Sequence, residues 1–541
     1  MQSEFYDVIQ VGYGPVSAAL GLMLGRQGRK LAICERWSTR YPLPRAVCVD
    51  HELYRVLHKN GLGSILPDVT QKGPPYQWFS PEWEELLVID WSAPSISGGP
   101  EVHFVHQPTL EAALDDAVRQ LPTVDLHLGW EVIAVDQNDE SARVRLRHAE
   151  TGEEKTLSAR YVIGCDGANS IVRRTIGGGQ EDRGFEADWL VIDVLLKEGV
   201  TIEALGIPAA GQYCNPTRPT TIVPAGVREG RVFRRWEFMR LPGETVEELE
   251  REDRVWELLK PWAGPDDIEL VRHKIYNFRS LLAEKWHDRR LLIAGDAAHV
   301  MPPFMGQGMC SGMRDAWNLA WKLGFILDGK ASDQLLDTYQ PERLPHVSQI
   351  IDMSIYLGKI ICIPDPVEAK ARDEAFLGGT AEPPPPFPCL SDGLLHRDTS
   401  GTPTMGAGLL APHVDVSVNG QKLRLDEIAS GAFLLITGGY RAPEVLTQVT
   451  ADALASIDTG YVQLGGLDGI EDLDGRLTDF LTERQWTAMI VRPDFYVYGG
   501  AATAEDLQQL VNALIADLAG AGVVLENKKQ TRSKLSEAST V

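Results

Sequence analysis

The chain has 541 residues, 44% of them hydrophobic, and a formal net charge of −24. That length accommodates two or three domains with real cores, and that charge argues against a nucleic-acid or anionic-membrane partner. Seven cysteines without a CxxC pair, no apolar run of membrane-spanning length, and an N-terminus running straight into a strand predict reduced thiols and a cytoplasmic protein with neither leader nor anchor.

A strand predicted over residues 6–11 leads into Gly12-Tyr13-Gly14-Pro15-Val16-Ser17, and an apolar helix pattern continues over 18–24. Gly12 permits a tight turn, Gly14 lets backbone approach a pyrophosphate, and the helix N-terminus faces the phosphate charge. Ser17 stands where the fingerprint has its third glycine. A second strand over 31–34 ends in Glu35, placed to accept from a ribose 2′-hydroxyl, with Arg36 beside it. A glycine turn with a surface glutamate is the plain alternative; strand, turn, helix, strand and acid in succession point to a dinucleotide.

Helices are expected over 52–62 and 108–121, and strands over 124–128, 132–135, 142–148 and 161–164. The last of these ends in Cys165-Asp166-Gly167-Ala168, by itself an ordinary Asp-Gly turn. From 180 to 275 the pattern alternates, with strands at 191–196, 220–223 and 232–239 broken by proline and glycine; we read it as an inserted substrate domain. After an apolar strand at 291–294 comes Gly295-Asp296-Ala297-Ala298-His299. Asp296 suits a ribityl hydroxyl, Pro302-Pro303 stiffens the next segment, and Gly306-Gln307-Gly308-Met309 opens a helix whose free amides can face a flavin ring. In this order the three glycine segments indicate FAD rather than NAD as the bound dinucleotide. A proline run at 383–388 reads as a linker, and the residues beyond it as a small α/β domain.

The set GxGxxS, Asp-Gly, Gly-Asp-Ala-Ala-His, Pro-Pro, Gly-Gln-Gly-Met, Arg-Asp and Asn-Leu-Ala-Trp-Lys-Leu resembles the single-component aromatic hydroxylases, the class A flavoprotein monooxygenases. Within them it is most similar to the 3-(3-hydroxyphenyl)propionate hydroxylase branch, through Pro44-Arg45-Ala46, Arg234-Arg235-Trp236-Glu237-Phe238-Met239, Pro242-Gly243-Glu244-Thr245 and residues 337–343. The likeness covers residues 4 to about 360 and continues more weakly beyond. It implies an α/β fold: an FAD-binding Rossmann-like domain (1–180 and 276–385), an inserted mixed-sheet substrate domain (181–275) and a thioredoxin-like C-terminal domain (396–525) without redox cysteines; the polar composition of 526–541 predicts a disordered tail.

The resemblance further implies that NAD(P)H, docking transiently, reduces FAD, and that a flavin C4a-hydroperoxide transfers oxygen from O2 to an electron-rich phenolic ring in aromatic catabolism. A homodimer is compatible with it. Carried over by position, the FAD contacts are Gly12, Gly14, Pro15, Val16, Glu35, Arg36, Arg45, Gln107, Asp166, Gly295, Asp296, Pro303, Gly306, Gly308 and Met309; no metal is expected. For the substrate, His51 and Asp50 are candidate bases by position, although a capping aspartate and a surface histidine explain them as well. Tyr213 and Arg235 are candidates to hold a phenol or carboxylate oxygen. Arg234 and Arg235 share an alternating strand, so one must turn away, and an inter-strand salt bridge is the structural alternative for Arg235. Phe304 lines the ring pocket or packs in the core, and His299 packs. Rival readings are a hydroxylase of larger aromatic polyketides, a non-hydroxylating flavin oxidoreductase and a flavin-binding protein without turnover.

Overall fold

The computed structural model describes residues 4–40, 42–428, 431–465 and 469–525; the expected tail at 526–541 lies outside them. The chain divides into two units. The first holds the chain up to Ser95, Gly99–Ala316 and Val347–Phe387; the second holds Ile96–Gly98, Trp317–His346 and the chain from Pro388 on. The expected 276–385 block is therefore split, and 317–346 goes with the C-terminal residues.

Unit 1 contains two eight-stranded sheets. In the first, Leu291–Ile293, Glu154–Gly164, Phe5–Val11, Leu31–Glu35 and Val124–Leu128 lie side by side and parallel. Their apolar runs, such as the fully buried Leu31-Ala32-Ile33-Cys34, suit strands covered on both faces. Gly12 closes the first strand at φ +91°, and a Cβ there would lie 2.6 Å from the Cys165 carbonyl oxygen, so only glycine lets the two strand ends meet. Ser17 is accommodated because its buried hydroxyl lies 2.6 Å from the Gln10 side-chain amide.

The second sheet runs His299–Val300, Ile268–Ala283, Gln180–Leu196, Arg231–Met239, Thr220–Arg228, Gly211–Tyr213, Tyr76–Phe79, Glu85–Ile89. Its neighbours are antiparallel except Gly211–Tyr213 with Tyr76–Phe79. The sheet thus reaches beyond the expected 181–275 insertion, because pairing partners come from 76–89 and the long strand Ile268–Ala283 crosses the boundary. One face packs Leu190, Ile192, Ile222, Trp236 and Phe238 against Val255 and Leu259 of the helix Glu252–Leu259. Alternation turns residues 235 and 237 to the opposite face. Arg234 stays with Trp236 and donates to the carbonyls of Ala209 and Pro208 at 2.6 and 2.9 Å.

Unit 2 has a four-stranded sheet in the order Thr459–Leu464, Phe433–Gly438, Ala488–Val491, Val497–Ala501, the first pair parallel and the others antiparallel. The helix Ala504–Gly520 starts on a Thr503–Asp506 capping box and buries Leu507, Leu510, Val511, Leu514 and Leu518. The Asn-Leu-Ala-Trp-Lys-Leu and Pro-Glu-Arg motifs meet in a buried ion cluster here. Lys322 Nζ donates to Glu342 at 2.6 Å, Arg492 donates to both Glu342 oxygens at 3.0 and 2.7 Å and to Asp494, and Asn318 donates to Glu342 and Asp494. Burial opposes the charge on Glu342, but Arg492 and Lys322 prevail and hold its pKa down at about 2. All seven cysteines are unpaired. Among the described residues, no single helix is long and apolar enough to cross a membrane.

Candidate active site

Between the strand ends of the first sheet and the free face of the second lies a cavity of about 420 Å³ within unit 1. Gly14, Pro15 and Val16 form one wall, Arg45 and Gln107 another, and Asp296, Pro303, Gly306, Gly308 and Met309 a third; Arg235 faces them from the second sheet. Gln107 anchors the Arg45 loop, its Oε1 accepting from the amides of Arg45 at 2.8 Å and Ala46 at 2.5 Å. Asp296 sits on the short turn Gly295–Ala297, where Gly295 has φ +61°. Asp315 holds that turn: its Oδ2 accepts from Gly295 N at 3.1 Å and lies 2.7 Å from His299 Nε2. His299 is buried and packs against Trp286, as expected of a structural residue. Gly306, at φ +64°, is required because a side chain would run into Cys48 Sγ.

Five expected cofactor contacts do not line this cavity. Gly12 and Gly295 shape the turns beneath Gly14 and Asp296. Glu35 accepts from the amides of Tyr13 at 2.8 Å and Trp37 at 3.1 Å, tying the glycine turn to the second strand. Arg36 lies over the Trp37 ring at 5.1 Å. Asp166 accepts from Ile171 N at 2.7 Å through Oδ2, while its buried Oδ1 has no partner among the described residues, and burial raises its pKa.

Two expected substrate residues are elsewhere. His51 opens the helix His51–Leu57, with Nε2 3.3 Å from Glu101, and does not line the cavity. Tyr213 comes directly after Gln212, which points in, so alternation turns it out; it stacks on Trp83 at 4.6 Å and donates to the Pro81 carbonyl at 3.0 Å. Asp50 is no base either: it caps Leu53 N at 2.9 Å and receives Arg314, which also donates to Glu52 at 2.5 Å. Arg235 reaches the cavity but is consumed structurally. It donates to both Asp193 oxygens at 2.7 and 3.1 Å and to the carbonyls of Arg45 and Pro44 at 2.5 and 3.2 Å. Burial works against its charge, yet Asp193 outweighs burial and raises its pKa. Phe304 does both things expected of it, lining the cavity and packing edge-on to Phe185 and Trp189.

Sequence reasoning missed Tyr76, Gln212, Thr221 and Glu237, which line the second-sheet wall. Glu237 was within reach, being two residues from Arg235 on one strand face. Tyr76 and Gln212 carried no local signal, because a parallel pairing across more than 130 residues brings them together.

The residues fit a flavin dinucleotide. Asp166 Oδ1 is a buried acceptor awaiting a donor, and nothing lies within 4 Å of where a Cβ on Gly14 would stand. The Asp296 carboxylate opens into the cavity without a hydrogen-bond partner among the described residues. Enclosure raises its pKa, against the pull of His299 and Arg45.

Comparison with known proteins agrees. The family described as FAD binding domain matches residues 5–354, and the one described as HcaD C-terminal domain matches 408–517. The chain is 37% identical over 530 residues, 95% of each chain, to a probable NADH-specific resorcinol 4-hydroxylase of Rhodococcus jostii (strain RHA1). It is 30% identical over 535 residues, 92% of each chain, to the 3-(3-hydroxy-phenyl)propionate/3-hydroxycinnamic acid hydroxylase of Shigella sonnei (strain Ss046). In fold it is similar to the flavin-dependent monooxygenase PieE, solved with FAD and substrate, with a TM-score of 0.79 at 20% identity over 95% of this chain and 99% of that one. Aklavinone-11 hydroxylase, solved with FAD and aklavinone, gives 0.76 at 21% identity over 95% and 100%. The chain belongs to the FAD-binding aromatic hydroxylases, the class A flavoprotein monooxygenases.

Proposed function

We propose that the protein uses NADH and O2 to hydroxylate a small phenolic ring, resorcinol or a close analogue. The observation that carries this reading is the cavity, where Asp296 and the Gly14–Val16 turn, suited to a flavin, face a sheet wall on which the Glu237 carboxylate and the Tyr76 hydroxyl proton are unspent and suited to a phenol. Its size is compatible with a small guest: a cavity of roughly 150 Å³ holds benzene, so 420 Å³ leaves room for a flavin ring edge and one aromatic ring.

FAD would be held by the Gly12–Gly14 turn and the adjoining helix N-terminus at its pyrophosphate, by Glu35 at the ribose, by Asp166 and Asp296 at hydroxyl donors, and by Gly308 and Met309 amides at the ring. Bound there, FAD supplies the electron transfer and oxygen activation that no side chain can. The chain's own work is to orient the phenol and to exclude water, for which Val191, Val223 and Phe304 provide apolar lining. Arg235 acts on the loop: by gripping the Pro44 and Arg45 carbonyls it fixes the segment that Gln107 also holds.

A phenol with a carboxylate side chain is the second reading, favoured by Arg279, which lines the cavity and meets Asp182 only at 3.4 Å. The strand order of unit 2 supports a thioredoxin-like description, and seven unpaired thiols suit a cytoplasmic setting. The test is NADH oxidation by the flavin-loaded protein with a panel of phenols and product analysis. Resorcinol should accelerate it and gain one hydroxyl; a rate indifferent to every phenol overturns the proposal.

A further inference from the structure

We infer that Glu237 and Tyr76 read the substrate: the Glu237 carboxylate accepts the hydrogen bond of one ring hydroxyl, and the Tyr76 hydroxyl donates to a second ring oxygen, so the cavity selects a dihydroxybenzene. This rests on the reading of the cavity as a phenol site. Sheet register sets the two groups out. Gln212, Thr221, Glu237 and Val191 are direct cross-strand neighbours in one row facing the cavity, with neighbouring Cβ atoms about 5 Å apart in such a row.

Along the row the hydrogen bonds run one way. Thr221 Oγ1 donates to Gln212 Oε1 at 2.7 Å, and Gln212 Nε2 donates to the Tyr76 oxygen at 2.6 Å. The Tyr76 oxygen is thereby an acceptor, and its own proton is unspent; no other hydrogen bond to this hydroxyl exists among the described residues. The ring cannot swing away to find one, since it stacks on Trp91 at 4.1 Å and is 4% exposed.

Glu237 is the complement. The cation nearest it among the described residues, Arg235 Nη1, stands at 3.7 Å, outside hydrogen-bond range, and that guanidinium is already engaged by Asp193 and two carbonyls. Its carboxylate opens on the cavity with no hydrogen bond from a described residue, where partial desolvation is costly, and burial raises the Glu237 pKa despite Arg235. A donor arriving with the substrate relieves that cost. Sites built to hydrogen-bond a hydroxyl discriminate strongly against analogues that lack it.

The test is equilibrium binding of resorcinol and of phenol to the FAD-loaded full chain, read from the change in flavin absorption. Tyr76→Phe should weaken resorcinol about tenfold and leave phenol within twofold. Glu237→Gln should weaken both, by about tenfold or more, with flavin content and melting temperature near wild type. Resorcinol binding unchanged in both variants, or Tyr76→Phe weakening the two ligands equally, overturns the assignment while leaving phenol hydroxylation intact. Failure of the wild-type protein to bind either phenol overturns the underlying reading together with it.

Discussion

Charged groups are arranged in opposite ways in the two units. In unit 2, Lys322, Glu342, Arg492 and Asp494 spend their hydrogen-bonding capacity on one another. In unit 1, Asp296 and Glu237 line the cavity without a hydrogen-bond partner among the described residues, and Asp166 Oδ1, outside the lining, has none among them either. Both arrangements carry a desolvation cost. Where partners repay it internally we read the cluster as structural; for the cavity-lining carboxylates we read the missing partner as a ligand. Arg235 shows that burial and charge alone are poor guides, for it lines the cavity and yet belongs to the first class.

The sharpest way to break this comparison is to remove one carboxylate from each side. Glu342→Ala strands the buried Lys322 and takes one of the two carboxylates that Arg492 holds; it should cost about 3–5 kcal/mol, read as a lowered denaturation midpoint, whereas Glu237→Gln should cost under about 1 kcal/mol. Equal losses would erase the distinction. Next in size, Asp296→Ala should lower FAD affinity by about 10- to 100-fold, the worth of a hydrogen bond to a charged group. Flavin absorbance retained after gel filtration measures it, and full retention with normal turnover contradicts the assigned role.

Acid separates the two classes as well. Glu342 titrates at about 2 when folded against 4.5 in its reference state. Its folded pKa is depressed, so its contribution is complete above 4.5 and disappears as pH falls from there toward 2. Denaturation midpoints across that window should fall more steeply for wild type than for Glu342→Gln; parallel curves would mean that the cluster is not ionised as drawn. The smallest effects belong to His51→Ala and Tyr213→Phe, whose turnover should stay within twofold of wild type. A tenfold loss in either would return that residue to the site.

Most of the cavity wall beside the glycine turns is legible in the sequence because its residues are local: Gly14, Pro15 and Val16 come right after one strand, and Asp296 and Gly306 lie ten residues apart. The substrate wall is not. Arg235 was found and Glu237 passed over, although alternation places both on one face. Tyr213 was chosen where its neighbour Gln212 faces inward, because the register of a three-residue strand is set by its partners at Tyr76–Phe79 and Thr220–Arg228 rather than by its own pattern. His51 looked suitable from its place after Arg45, but the strand Cys48–Asp50 pairs with Val102–Val105 and turns it toward Glu101. The Asn-Leu-Ala-Trp-Lys-Leu and Pro-Glu-Arg stretches marked the family and concealed their purpose, since a buried ion cluster is visible only when distant helices and a strand converge.

The central claim is that flavin and phenol meet in the unit 1 cavity and that oxygen passes to the ring. Turnover of resorcinol by the FAD-loaded protein with NADH under isotopically heavy dioxygen tests it most directly, with mass spectrometry of the aromatic product. One heavy oxygen atom should enter the ring product for each NADH consumed under saturating resorcinol. A product without label, or NADH consumption that yields peroxide and unchanged resorcinol, would contradict it.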